Sequence, residues 1–322
     1  MSAAYSRDHG AIGWLLERSQ SSVRYYTLRD LLGLPEDDPD VVEALNDIPK
    51  SGWGAEILSL QKQGGWWESG RSLYRPKYTA TNWRALVLSD LGLTKREPRV
   101  ERAAELFFRK WLSQSGPGNG YIAENEVCII GNTARMLTRF GYEDDPRVKK
   151  LFRGLVESQK EDGGWHCFGG DRGSLDCWEG LAAYAALPKA KRSRSMKRSL
   201  ERGAEFYLER RLFDDGERRY LPWLRLHYPV HYYYDILVGL DVLVRLGYAS
   251  DRRMKPALKL LKSKRRPDGT WLLDRVHPDL GSGANYGPFR RPPKRFALEH
   301  EGLPSKWITM TALRVLKTAE GA

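Results

Sequence analysis

One phrase recurs three times along this chain, each time where a helical pattern ends: Gln61-Lys62-Gln63-Gly64-Gly65-Trp66, Gln159-Lys160-Glu161-Asp162-Gly163-Gly164-Trp165 and Lys264-Arg265-Arg266-Pro267-Asp268-Gly269-Thr270-Trp271. Self-similarity at a fixed period is the strongest constraint a sequence places on its fold, because each repeat must bury its apolar face against the next. Aligned on Gly65, Gly164 and Gly269, the intervals are 99 and 105 residues. Each equals two units of about 50, the range of helical-pair repeats. A second phrase marks the opposite turn of each unit. Leu91-Gly92-Leu93, Phe140-Gly141-Tyr142 and Leu246-Gly247-Tyr248 each precede a cluster rich in Asp, Pro or Arg, and Gly92 lies 49 residues before Gly141. The glycine reads as a helix C-cap, and the cluster as the start of the next helix.

Between these marks the apolar pattern predicts helices of two kinds. Amphipathic, heavily charged outer helices are expected over 7–18, 40–61, 98–113, 146–159, 195–212 and 252–264. Inner helices, apolar around most of their circumference, are expected over 22–33, 79–91, 126–140, 175–187, 231–246 and 305–317. An amphipathic helix needs cover on one stripe only, whereas an apolar one needs neighbours on most sides. Six such pairs predict an all-α fold, an (α/α)6 toroid forming one domain over 1–322, with a long Gly/Pro-rich loop at 272–304 as a lid over its mouth.

The Gln-x-x-Asp-Gly-Gly-Trp phrases resemble the repeats of squalene cyclases and protein prenyltransferase β-subunits, which are α/α toroids. Closer still is the resemblance to prokaryotic prenyltransferase/squalene-oxidase-repeat proteins, carried by Cys128-Ile129-Ile130-Gly131-Asn132, Gly163-Gly164-Trp165-His166-Cys167, Asp176-Cys177-Trp178 and Pro304-Ser305-Lys306-Trp307-Ile308-Thr309. It covers most of the chain and implies a hydrophobic or isoprenoid-like ligand in a central cavity. The prenyltransferase resemblance also implies a zinc set of Asp176, Cys177 and His231, with Asp176 and Cys177 adjacent here and His231 one residue out of register. The acid of type II terpene cyclases, Asp-x-Asp-Asp, is missing from the sequence. Asp37-Asp38-Pro39-Asp40 and Asp144-Asp145 are read instead as turns and helix caps.

In such a ring the N-termini of the inner helices converge on one mouth, with their partial positive charges. Cys128 stands three residues before Gly131 and Cys177 three before Gly180, which places both thiols at one height in neighbouring helices. Cys167 lies ten residues before Cys177, in the loop leading there. The three cysteines of the chain are thus expected to meet. Thiolates are zinc ligands, and His166, Asp176, His231 or water would complete the shell; otherwise Cys128 and Cys177 are small apolar packing residues. The metal set is read as Cys128, Cys167, Cys177 and His166, and the catalytic candidates as Asp176, His231 and Asp235. Trp66, Trp165 and Trp271 are expected to be structural wedges. Of Tyr232-Tyr233-Tyr234, placed on a helix, at most two would face the cavity. With Pro229 at the helix start, His227 is expected to fall outside the helix and not share a metal with His231.

Charge divides the chain unevenly. Residues 1–150 carry 21 basic and 20 acidic groups and 151–322 carry 32 and 21, so almost all of the net +12 belongs to the second half. Runs at 189–194 and 289–295 would suit an anionic partner there, although no nucleic-acid-binding motif accompanies them. No apolar stretch is long enough for a transmembrane segment and no signal peptide is visible, while the odd cysteine count favours a reducing compartment. These features predict a soluble, cytoplasmic protein. The leading expectation is a toroid that binds a hydrophobic or isoprenoid-like ligand in its central cavity, with a thiolate-bound zinc at the mouth acting as Lewis acid or only bracing the helices. A non-catalytic ligand-binding or interaction scaffold and a toroidal carbohydrate lyase or hydrolase, with Asp176 and Asp235 as its carboxylate pair, are the alternatives.

Overall fold

The computed structural model describes residues 9–113, 126–167, 169–214, 216, 220–276 and 296–321. Its helices follow from local chemistry repeated around a ring. Outer helices α3 (Pro39–Asp47), α6 (Pro98–Lys110) and α8 (Pro146–Glu157) each open with proline in the first turn and a carboxylate cap, Asp38, Glu97 and Asp145, which accepts a main-chain N–H two residues on. Proline costs nothing where the N–H has no intrahelical partner, and the carboxylate satisfies a donor that would otherwise be orphaned. The acidic clusters are therefore caps, as expected. The expected outer helix over 40–61 is broken into α3 and α4 (Gly52–Ser59), because Gly52 takes a left-handed φ of 65° against the side chain of Gln20.

Inner segments alternate with these. They are α2 (Ser21–Tyr26, extended by a π-helical turn over Thr27–Leu31), α5 (Thr81–Asp90), α7 (Val127–Arg139), α9 (Glu179–Ala186), α11 (Ile236–Leu246) and α13 (Lys306–Glu320). α10 (Arg194–Glu209) and α12 (Lys255–Ser263) complete the outer layer, and α1 (His9–Leu15) packs on α13. Gly92, Gly141 and Gly247 end their inner helices at φ of 93°, 93° and 98°, the left-handed region that a Cβ would strain. Two isolated bridges, His227 with Arg275 and Leu272 with Pro304, are the β-structure among the described residues.

The recurring phrase is the joint of each repeat. Gly65, Gly163 and Gly269 have φ of 85°, 87° and 86°, and two residues later Trp67, Trp165 and Trp271 are fully inside. Each indole Nε1 donates to the carbonyl ten residues upstream, on Ile57, Leu155 and Leu261, at 2.7, 2.8 and 2.8 Å. The wedge of the first repeat is thus Trp67, and the half-buried Trp66 of the sequence reading lies one residue out of step. Gln61 and Gln159 explain the repeated spacing within the first two phrases. Each side-chain amide donates to the carbonyl of its own turn glycine and to one on the next outer helix, Arg99 or Ser199, tying consecutive repeats together.

Ring closure joins the last inner helix to the first. The guanidinium of Arg314 bridges Asp30 at 3.1 Å and Asp241 at 2.9 Å, Lys317 donates to the Leu31 carbonyl at 2.8 Å, and Trp307 meets Tyr26 edge-on. The fold is an α/α toroid. Among the described residues no helix is long and apolar enough to cross a membrane. The expected loop at 272–304 is described only at its ends, and 277–295 lies outside the described residues together with the basic run at 289–295.

Candidate functional site

The mouth formed by the inner-helix N-termini opens into a cavity of about 790 Å³. Its walls are aromatic: Tyr74, Trp83, Trp223 and all three of Tyr232, Tyr233 and Tyr234. The sequence reading allowed two of those tyrosines at most, on the premise of a helix from 231. The helix begins instead at Ile236, and the backbone before it is irregular, with His231 at φ 48°, so that Tyr232 and Tyr233 lie together while Tyr234 reaches the same wall packed on Tyr207 and Trp223. The hydroxyls of Tyr232 and Tyr233 form a cluster, whereas that of Tyr234 donates to the Leu212 carbonyl at 2.8 Å. Tyr232 donates to Tyr233 at 2.8 Å, lies 3.0 Å from the hydroxyl of Tyr78, and receives the Lys77 ammonium, which also stands 4.6 Å from the Tyr232 ring centroid.

On the facing wall the three thiols meet. The Sγ of Cys177 lies 3.3 Å from that of Cys167, and the main-chain N–H of Cys128 donates to the same Cys167 sulfur at 3.4 Å. Cys128 is brought there by the first turn of α7 and Cys177 by the turn before α9; the Cα of Gly131 permits this, since a Cβ there would stand 2.5 Å from the Glu179 backbone. Hydrogen bonding with Cys128, then with Cys177, holds Cys167 down to about 3, well below an ordinary thiol, despite partial burial; the Cys128 thiol also donates to Glu126 Oε2 at 3.4 Å. The other two move the opposite way. Hydrogen bonding to Cys167 and burial raise Cys128 and Cys177, so one thiolate is stabilised by two protonated neighbours.

Other predicted site residues fall in different places. His166 lines this cavity and accepts the Gly170 N–H on Nδ1 at 3.3 Å. Asp176 lines it too, exposed, with Oδ1 accepting from the Trp223 indole at 2.8 Å. His231 is in the core, stacked on Tyr78 at 5.3 Å and edge-on to Trp83 at 5.2 Å. Asp235 lines a second cavity inside the ring, where Oδ1 caps α11 and Oδ2 meets the His227 Nδ1 at 2.6 Å. The structure therefore does not bring Asp176 and Asp235 together as a carboxylate pair. His227 lies outside the helix, as Pro229 implied, and it is this histidine that holds the aspartate.

The donor types at the thiol cluster suit zinc, but Cys167 and Cys177 stand at the 3.3 Å of hydrogen-bonded thiols. Tetrahedral zinc at about 2.3 Å from each sulfur would hold them about 3.8 Å apart. Among the described residues no group of three or more His, Cys, Asp or Glu is arranged to hold a metal ion. One carboxyl that sequence reasoning missed stands beside the cluster. Glu179, in the first turn of α9, is fully buried and neither carboxyl oxygen finds a partner beyond its own residue; burial, then the Cys167 charge, pushes it well above the usual carboxylate range. An acid within the apolar run of an inner helix, two residues after Cys177, was the available signal.

No family model matches the chain, and no curated protein matches it. Among solved structures it is similar to a protein from Actinoplanes, at 17% identity over 98% of this chain and 99% of that one, with a TM-score of 0.47. It is also similar to the apo type II terpene cyclase MstE from Scytonema, at 16% identity over 98% of each chain and a TM-score of 0.48. MstE in complex with geranylgeranyl dihydroxybenzoate aligns at 16% identity over 87% of this chain and 97% of that one, with a TM-score of 0.33.

Proposed function

We propose that the chain, as a single toroidal domain, binds a hydrophobic, isoprenoid-like small molecule in the mouth cavity, and that the Cys128–Cys167–Cys177 cluster is the reactive end of that site. The observation that carries this reading is the pairing of an aromatic cavity of about 790 Å³ with a thiolate-forming cysteine in its wall. Cavities of this size lined by aromatic side chains with a few convergent polar groups are the usual form of small-molecule sites. The tyrosine and indole faces suit an alkene-rich chain. Cys167 supplies either a nucleophile or a metal ligand, the two uses of a stabilised thiolate.

Zinc binding, which would need Cys167 and Cys177 to spread from their hydrogen-bonded spacing, is part of the proposal, with Cys128, Cys167 and Cys177 as its ligands and His166 as the fourth. A bound zinc ion would supply Lewis acidity at the cavity wall. The protein residues would then hold the ligand's chain against Tyr232–Tyr234 and exclude water from the thiols. Three free cysteines support a reducing, cytoplasmic setting.

Titration of farnesol into the purified protein, followed by tryptophan fluorescence, tests the ligand class. Saturable quenching that is lost in Ile129→Arg, which thrusts a charge into the cavity from α7, is the expected result; no saturation, or wild-type binding by that folded variant, sinks the reading. Elemental analysis tests the metal separately. About one zinc per chain, falling on Cys167→Ser, supports it, and less than about a tenth removes zinc while leaving the thiolate site standing.

A further inference from the structure

The second cavity runs inside the ring from the inner-helix N-termini, where Trp178, Asp235 and Trp307 line it, to their C-terminal halves, and measures about 360 Å³. Every inner segment reaches it, and its polar wall is a set of five guanidiniums, those of Arg29, Arg135, Arg139, Arg245 and Arg314. Such residues are rare in helices buried on most sides. Three aspartates answer them, with Glu36 also 3.5 Å from Arg29. Asp30 takes Arg29 at 2.6 Å and Arg314 at 3.1 Å, Asp241 takes Arg245 and Arg314 at 2.9 Å each, and Asp90 takes Arg139. Asp235 also lines the wall, but its oxygens are occupied by the main-chain N–H groups of Leu237, Val238 and His227 and by the His227 ring.

Arg135 is left over. Its side chain is only 4% exposed, its Nη1 comes no nearer than 3.8 Å to Asp90, and its Nε and Nη2 have no hydrogen-bond partner. The Trp178 ring, 4.9 Å from its central carbon, covers one face. Burial lowers its pKa, yet a guanidinium stays charged in proteins. Buried donors on a cation are costly unless something accepts them, and the free edge of a planar fork matches the oxygens of a phosphate. Arg139 and Arg245 stand in last turns, where helix dipoles draw cations in any case. That explanation fails for Arg135, a full turn inside α7 (Val127–Arg139).

We propose that this cavity is a binding site for a phosphate-class oxyanion, with Arg135 its principal donor and Arg139 a second. The site is separate from the thiol cavity: the stretch 230–235 gives Val230 and Asp235 to this one and Tyr232–Tyr234 to the other. Its failure would leave the farnesol reading untouched.

Calorimetric titration of the full chain with inorganic phosphate, inorganic diphosphate, phenyl phosphate and acetate tests the proposal. The expected result is saturable binding of phosphate or diphosphate, weakened about tenfold or more by Arg135→Gln, as loss of a charge-assisted pair implies, and unchanged in Arg153→Gln on the outer surface. Arg139→Gln, at the rim, carries the same comparison should the Arg135 variant not fold. Phenyl phosphate binding as tightly as phosphate would assign the head group of an ester, its exclusion the free ion, and both uphold the site. No saturable heat with either inorganic anion, acetate bound as tightly as phosphate, or wild-type affinity in the folded arginine variants would overturn it.

Discussion

The Cys177 sulfur sits 3.3 Å from the Cys167 sulfur, close enough for the thiol of one to donate to the other, and Cys167 receives the Cys128 N–H as well. Three cysteines separated by 39 and 10 residues thereby act as one acid–base unit. Cys167 is expected to react with iodoacetamide before the other two, and to keep reacting at pH values well below those at which an ordinary thiol falls silent. Peptide mass spectrometry after brief labelling reads the order. Cys177→Ala removes one donor and is expected to shift the Cys167 rate profile upward in pH. Equal labelling of all three, with an ordinary thiol profile, would show that the cluster does not work this way.

The wedge tryptophans carry the ring. Trp165 is fully enclosed and its indole satisfies the Leu155 carbonyl, so Trp165→Ala creates a cavity and orphans an acceptor together. A loss of about 3–5 kcal/mol in urea unfolding is expected there and at Trp67 and Trp271. Trp66→Ala, at a half-buried residue, is expected to cost less than about 1 kcal/mol. Similar losses at Trp66 and Trp67 would contradict the register found at the first joint.

The repeat phrases made the toroid legible because turn chemistry and helix caps are local: glycine is needed wherever φ is positive, and the carboxylate caps sit next to the helices they start. Convergence of the cysteines was legible for the same reason, since two of them share a spacing to a glycine. What escaped was long-range. The one-residue shift from Trp66 to Trp67 depends on which indole reaches a carbonyl ten residues back, and consecutive tryptophans give no local means of choosing. Placing Tyr232–Tyr234 on a helix failed because apolar periodicity runs through 231–246 while Asp235 caps the chain later, through four N–H donors spread over 227–238. Charged residues inside apolar helices, Arg135, Glu179, Asp241 and Arg314, were visible in the sequence. Their meaning needs the ring, which brings Arg314 to Asp30 across 284 residues.

Asp235 fastens a non-helical segment to the helix it precedes. Asp235→Ala would strip the α11 cap and leave the His227 main-chain and ring donors buried without an acceptor, an expected cost of about 2–4 kcal/mol from the two losses combined. Asp235→Asn keeps an oxygen for the cap and should recover about half of that. Thermal unfolding of the two variants measures the difference. An alanine variant as stable as wild type would mean that the 227–235 segment is not anchored through this carboxylate.

Glu299 gives the stability a definite pH dependence. It accepts the Ser305 hydroxyl at 2.5 Å and the Lys306 N–H at 2.6 Å where α13 begins, and burial pushes its carboxyl from 4.5 up to about 7. A carboxyl with a raised folded-state pKa binds its proton more tightly when folded, so the folded state binds more protons than the unfolded one between those values. Its contribution is full below about 4.5 and declines as the pH rises to about 7. Glu299→Gln holds the site neutral at every pH. The stability difference between wild type and this variant, from urea midpoints at fixed slope, is therefore expected to move against wild type as the pH rises from about 4.5 to about 7 and to level off above. A difference that stays constant through that window, or runs in the opposite direction, would show that the carboxyl is already ionised when the chain folds.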